Sequence, residues 1–119
     1  MDNPALIDAR PYLCATQPEI PARFATIAKP VTRDEVLQEI CGGFITAIAS
    51  DIRADIIGHD LGICVPIDWK VQYIDHGRTL LIGVFCQEIP LGQWDGRYRG
   101  TVEWFRVVVP ERIGYEPPL

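Results

Sequence analysis

Five of the ten prolines of this 119-residue chain (Pro4, Pro11, Pro18, Pro21 and Pro30) fall within the first thirty positions. Each ring fixes φ, removes a backbone donor and disfavours helix at the preceding residue. Apart from one short turn, with Asn3 as cap and Pro4 at its first position, residues 1–31 are therefore expected to be an extended arm. Leu6, Ile7, Tyr12, Leu13, Ile20, Phe24 and Ile27 make this arm apolar enough to pack on something, either its own domain or another subunit.

Directly after the arm, Thr32-Arg33-Asp34-Glu35 reads as a capping box. From Val36 to Ile57 apolar residues recur at helical spacing (Leu37, Ile40, Cys41, Phe44, Ile48, Ile52 among them), with Glu35, Glu39, Thr46 and Arg53 gathered opposite. A single long amphipathic helix over 32–57 is expected from this pattern, with Gly58 as its left-handed stop. The Gly42-Gly43 pair inside it costs about 1 kcal/mol per glycine relative to alanine. Gly43, Ala47, Ser50 and Ala54 would form a narrow stripe of small side chains along that helix, suited to close approach by a sheet or a partner helix. A break at the glycine pair is the alternative.

Beyond the helix the period shortens to two. Trp69, Val71 and Tyr73 alternate with Lys70 and Gln72, as in a strand with its apolar side buried. His76-Gly77 suits a hairpin turn, Thr79–Cys86 is apolar on both faces, and Thr101–Val109 is a further strand closed by Pro110. Leu61–Ile67 could add a fourth strand, and in the tail 111–119 the stretch Gly114–Leu119 is expected to fray. The expected fold is a single α+β domain over 1–119: arm, one long helix, and a 3–4-stranded antiparallel meander over 61–110 on which the helix lies.

Composition bounds the function. Apolar residues make up 48% and charged residues 23%, which is a folded globular composition. The net charge of −5 repels phosphate backbones, so it argues against nucleic acid and for a partner with a basic surface. The start of the chain lacks a secretory pattern, and its longest apolar run falls far short of the roughly 20 residues of a membrane span. A soluble, cytoplasmic protein without membrane contact is expected. Cys14, Cys41, Cys64 and Cys86 form no metal-binding pairs, so buried reduced thiols are expected, with a disulfide as the alternative because spacing does not give distance in the fold, and with no metal and no cofactor.

Chemistry-bearing residues are sparse. Asp51, Asp55 and His59 stand four apart and could line one helix face as an acid/base or metal cluster. Against this, Gly58 would release the helix before His59, so a solvated helix end is preferred. The loop Gln93–Gly100 concentrates Trp94, Arg97, Tyr98 and Arg99, residue types enriched in protein interfaces. The preferred function is a non-catalytic, small acidic intracellular module docking on a larger protein as an inhibitor, immunity protein, phage-type anti-host factor or adaptor. One alternative is a pocket enzyme or ligand-binder using an Asp/His pair from Asp51, Asp55, His59 and His76. The other is a structural homo-oligomer held by the arm and the small-residue stripe.

Overall fold

A computed structural model describes residues 8–17, 19–87 and 94–118. Its strands are β1 (Tyr12–Thr16), β2 (Lys29–Val31), β3 (Ile45–Thr46), β4 (Gln72–Ile74), β5 (Thr79–Phe85), β6 (Val102–Val108) and β7 (Ile113–Tyr115); its helices are α1 (Arg33–Ile40) and α2 (Asp51–Leu61). Five strands form one mixed sheet in the order β2-β6-β5-β1-β3, while β4 and β7 form a separate two-stranded ribbon.

The turn expected at Asn3-Pro4 lies outside the described residues and Ala22–Phe24 forms a short 3-10 helix, but the arm supplies an interior strand. Its residues Tyr12–Thr16 are buried throughout as β1, which runs parallel to β5 from Tyr12↔Leu80 to Thr16↔Val84 and parallel to β3 on the other side. Two parallel neighbours rule out the expected antiparallel meander. Only β5 and β6 form the anticipated long antiparallel pair, in register from Thr79↔Val108 to Phe85↔Val102. Pro30 lies in β2 at the sheet edge, where a missing N–H breaks no interior ladder.

The single long helix is corrected to two short ones. The capping box is present: Thr32 Oγ1 accepts from the Glu35 N–H at 3.1 Å, and Glu35 Oε1 accepts from the Thr32 N–H at 3.1 Å. The helix it starts ends at Ile40, and the chain turns at Gly42-Gly43 with Gly43 at φ 109°. That φ is costly for any residue with a Cβ, so the glycine pair serves a turn rather than a helix interior. Phe44, Ile45 and Ile48 still reach the core, but from β3 and its flanks. A new helix begins at Asp51 under a Ser50 cap, whose Oγ accepts from the Arg53 N–H at 3.3 Å.

The break also rephases the residues downstream of it. Gly43, Ala47 and Ser50 lie outside any helix and only Ala54 lies within one, so the small-residue stripe does not exist. Arg53, placed on the outer face by the continuous-helix count, is buried, with its Nη1 unpartnered among the described residues; burial lowers its guanidinium pKa. Gly58 does not end α2, which runs to Leu61 and is capped by Gly62 at φ 71°. Instead Gly58 admits the returning chain: a Cβ there would lie 2.7 Å from the Ile63 carbonyl oxygen.

Both faces of the sheet are covered. Leu13, Ala15, Leu81, Phe85 and Trp104 meet Val36, Ile40, Ile56, Ile57 and Leu61 on the helix side. Tyr12, Cys14, Leu80, Ile82, Val84 and Val107 meet Phe24, Ile74 and Tyr115 on the other. The second cover is the ribbon, so the chain does not fray from Gly114: Ile113–Tyr115 is a strand, paired with β4 as Tyr73↔Gly114. Leu61–Ile67 is not a strand either, since Leu61 closes α2 and an irregular segment comes next.

Candidate functional site

The segment between α2 and β4 is apolar at each odd position: Ile63, Val65, Ile67, Trp69, Val71 and Tyr73. Alternation on an extended chain puts these residues on one side, and hydrophobicity alone would turn that side inward. Ile63 and Val65 do turn inward, half-buried against the helix-side core, but beyond Ile67 the residues turned inward are Asp68, Gln72 and Ile74, with Lys70 between them exposed. Asp68 is pinned to the body of the protein, its N–H donating to the Ile48 carbonyl at 2.9 Å and its carboxylate accepting from the Lys70 N–H at 2.9 Å and from Gln72 Nε2 at 3.2 Å. Gln72 Nε2 also lies 3.4 Å from the Thr46 carbonyl oxygen, and Ile74 is fully buried against the sheet.

With Asp68, Gln72 and Ile74 turned inward, Ile67, Trp69, Val71 and Tyr73 face solvent. Trp69 is 72% exposed and Tyr73 66%. The expectation that Trp69, Val71 and Tyr73 form the buried side of a strand is thus reversed, and only Gln72–Ile74 is strand at all. The Tyr73 ring lies over Gly114, its Cε1 3.5 Å from where a Cβ of that residue would be, and the Arg112 guanidinium sits 5.7 Å from the ring centroid while pairing with Asp75 at 3.4 Å. These contacts hold the ring against the outer face of the ribbon without covering it.

The upstream end of the stripe runs into a cleft of about 550 Å³ beside α2, lined by Asp51, Asp55, His59, Ile63, Val65 and Ile67 among others. Because α2 continues through Gly58, the face Asp51–Asp55–His59 is intact, contrary to the expected release before His59. His59 Nδ1–H donates to the Asp55 carbonyl at 2.9 Å and lies 3.4 Å from Asp55 Oδ1. Asp51 sits in the first turn of α2, where a carboxylate favours the helix dipole rather than opposing it. Cys64 also lines the cleft, whereas His76 lies in the Asp75–Arg78 turn and is not among its residues. Among the described residues, no group of three or more His, Cys, Asp or Glu is arranged to hold a metal ion.

The loop residues named from sequence flank the other side of α2. Trp94 is half-buried and packs against the helix-side core. The Tyr98 hydroxyl donates to the Gln87 carbonyl at 2.9 Å and accepts from the Gln87 N–H at 2.7 Å, with its ring 5.5 Å from Phe85; burial pushes its phenol up. Arg99 pairs with Asp95 at 2.7 Å, which holds the Asp95 carboxyl below its ordinary value, and Arg97 and Arg99 are exposed. Trp94, Arg97, Tyr98 and Arg99 line a groove of about 580 Å³ with Ile56, His59 and Asp60.

Sequence reasoning passed over Trp69 and Tyr73 as surface residues, although the alternation that carries them was legible. No protein-family model matches the chain, and no curated protein matches it in sequence. Among the described residues, no helix is long and apolar enough to cross a membrane.

Proposed function

We propose that this chain is a non-catalytic protein-binding module that docks on a larger partner through the stripe Ile67–Trp69–Val71–Tyr73. The observation that carries this is a contiguous run of large apolar side chains left in solvent on a segment whose opposite side is anchored by hydrogen bonds and a buried isoleucine. Leaving aromatic rings exposed forgoes burial worth about 25 cal/mol per Å² of apolar surface, and tryptophan and tyrosine are the residue types that dominate binding hot spots. Tyr73 is presented on the paired ribbon and Trp69 follows directly on the anchored Asp68, so little ordering entropy opposes docking. Of the thiols expected to be buried only Cys14 is, and a cytoplasmic, reducing setting suits the free, exposed thiols of Cys41, Cys64 and Cys86. Inhibitor and adaptor roles both accord with such a module.

The test is affinity capture from native lysate with the tagged chain and with a Trp69→Ser/Tyr73→Ser double variant of matched thermal stability. A stoichiometric partner retained by the parent and lost by the variant is the expected result. Identical capture by both, or by neither, would remove the stripe from any docking role.

A further inference from the structure

The cleft beside α2 and the exposed stripe meet at Ile67, which belongs to both. The charge is one-sided at the cleft end. Asp51 and Asp55 are exposed on the wall, and among the described residues no Lys or Arg lines the cleft and the sole ion-pair partner of either carboxylate is His59; the nearest cation along the stripe is the exposed Lys70, between Trp69 and Val71. At the other end the Tyr73 ring already takes one guanidinium, that of Arg112, on its face.

Resting on the docking role proposed above, we infer that this surface binds a basic, apolar-bearing segment of a protein partner, its aliphatic side chains on Ile67, Trp69, Val71 and Tyr73 and its lysine or arginine side chains toward Asp51 and Asp55. Charge complementarity selects this occupant. An acidic segment would bring like charges to the cleft wall, which disfavours wrong partners. A basic one gains twice, from the carboxylates and from cation–π contact with the exposed Trp69 indole. A lipid surface is the poorer fit, because the carboxylates repel anionic headgroups. Second copies of this chain carry the same net charge of −5 and would meet with mutual repulsion.

The experiment uses the full chain and three fluorescein-labelled peptides of about 12 residues, long enough at roughly 3.3 Å per residue to span the cleft and the stripe. One alternates Lys with Leu, one Glu with Leu, and one Lys with Ser; binding is read by anisotropy at low and raised salt. The Lys–Leu peptide should bind roughly tenfold tighter than either of the others. Asp51→Asn/Asp55→Asn should abolish its preference over the Glu–Leu peptide, and Trp69→Ser/Tyr73→Ser should weaken it by about tenfold or more.

Equal affinity for the Lys–Leu and Glu–Leu peptides overturns the inference about charge and leaves the docking role standing. Failure of every peptide, with lysate capture still lost in Trp69→Ser/Tyr73→Ser, overturns the basic segment as occupant but not the module. Lys–Leu binding indifferent to Trp69 and Tyr73 overturns the inference as well. So does partitioning onto phosphatidylcholine vesicles, with a blue shift of tryptophan emission abolished by Trp69→Ser, when no peptide binds.

Discussion

The indole Nε1–H of Trp104 donates to Asp60 Oδ2 at 2.9 Å, joining the centre of β6 to the last turn of α2. The same aspartate's carbonyl accepts from Arg33 Nη1 at 3.1 Å, so one residue ties α1, α2 and β6 together. Trp104 is almost fully buried, and without Asp60 its N–H would have no partner. Asp60→Ala should therefore cost about 1–3 kcal/mol in urea unfolding. Asp60→Asn should cost less, because an amide oxygen still accepts and a charge opposing the helix dipole is removed.

The turn at Gly43 gives a prediction opposite in sign to that of a continuous helix. In a helix interior, Gly43→Ala would stabilise the protein by about 1 kcal/mol. At φ 109°, with Arg10 Cδ 3.2 Å from the new Cβ, it should instead destabilise by about 1–3 kcal/mol. At Gly42, by contrast, an added Cβ meets nothing within 4 Å, and Gly42→Ala should be tolerated. Denaturant midpoints of the two variants decide the matter.

Cys14 and Tyr115 lie in the same buried cluster beneath the ribbon, and burial pushes the Cys14 thiol from 9.0 up to about 12 and the Tyr115 phenol well above its usual value. Both groups are raised, so their neutral forms are favoured in the fold. Stability is fully present below the unfolded value of the thiol and is lost as pH rises from there toward the folded values. Each group should contribute a slope of up to about 1.4 kcal/mol per pH unit, the thiol above its ordinary 9.0 and the phenol above 10.0. Thermal unfolding across the alkaline range should show this fall, and Tyr115→Phe should make it shallower.

Trp69→Ser and Tyr73→Ser should leave unfolding free energy within about 0.5 kcal/mol of the parent, since both side chains are mainly in solvent. Ile74→Ala, one residue beyond Tyr73 on the inward side, should cost about 2–4 kcal/mol. Equal losses at the two faces would mean that the stripe is part of the core.

Local signals in the sequence carried through wherever the controlling contacts are local. The capping box at Thr32–Glu35 depends on atoms three residues apart, and it is present as read. The doubly apolar run Thr79–Phe85 marked a strand buried on both faces, and β5 lies inside the sheet. A break at Gly42-Gly43 was among the readings the sequence allowed, but helical spacing continued across the pair because the core accepts Phe44 and Ile48 from either backbone.

Tertiary structure alone decided the rest. Pairing between β1 and β5 spans most of the chain, and no local pattern indicates that a proline-rich arm supplies an interior strand. The alternation of Trp69, Val71 and Tyr73 established which residues share a face but not which way that face points, since a period of two is symmetric under inversion. Asp68, Gln72 and Ile74 settled the direction by bonding to Ile48 and Thr46 and filling the sheet's second face, which left the aromatic side in water.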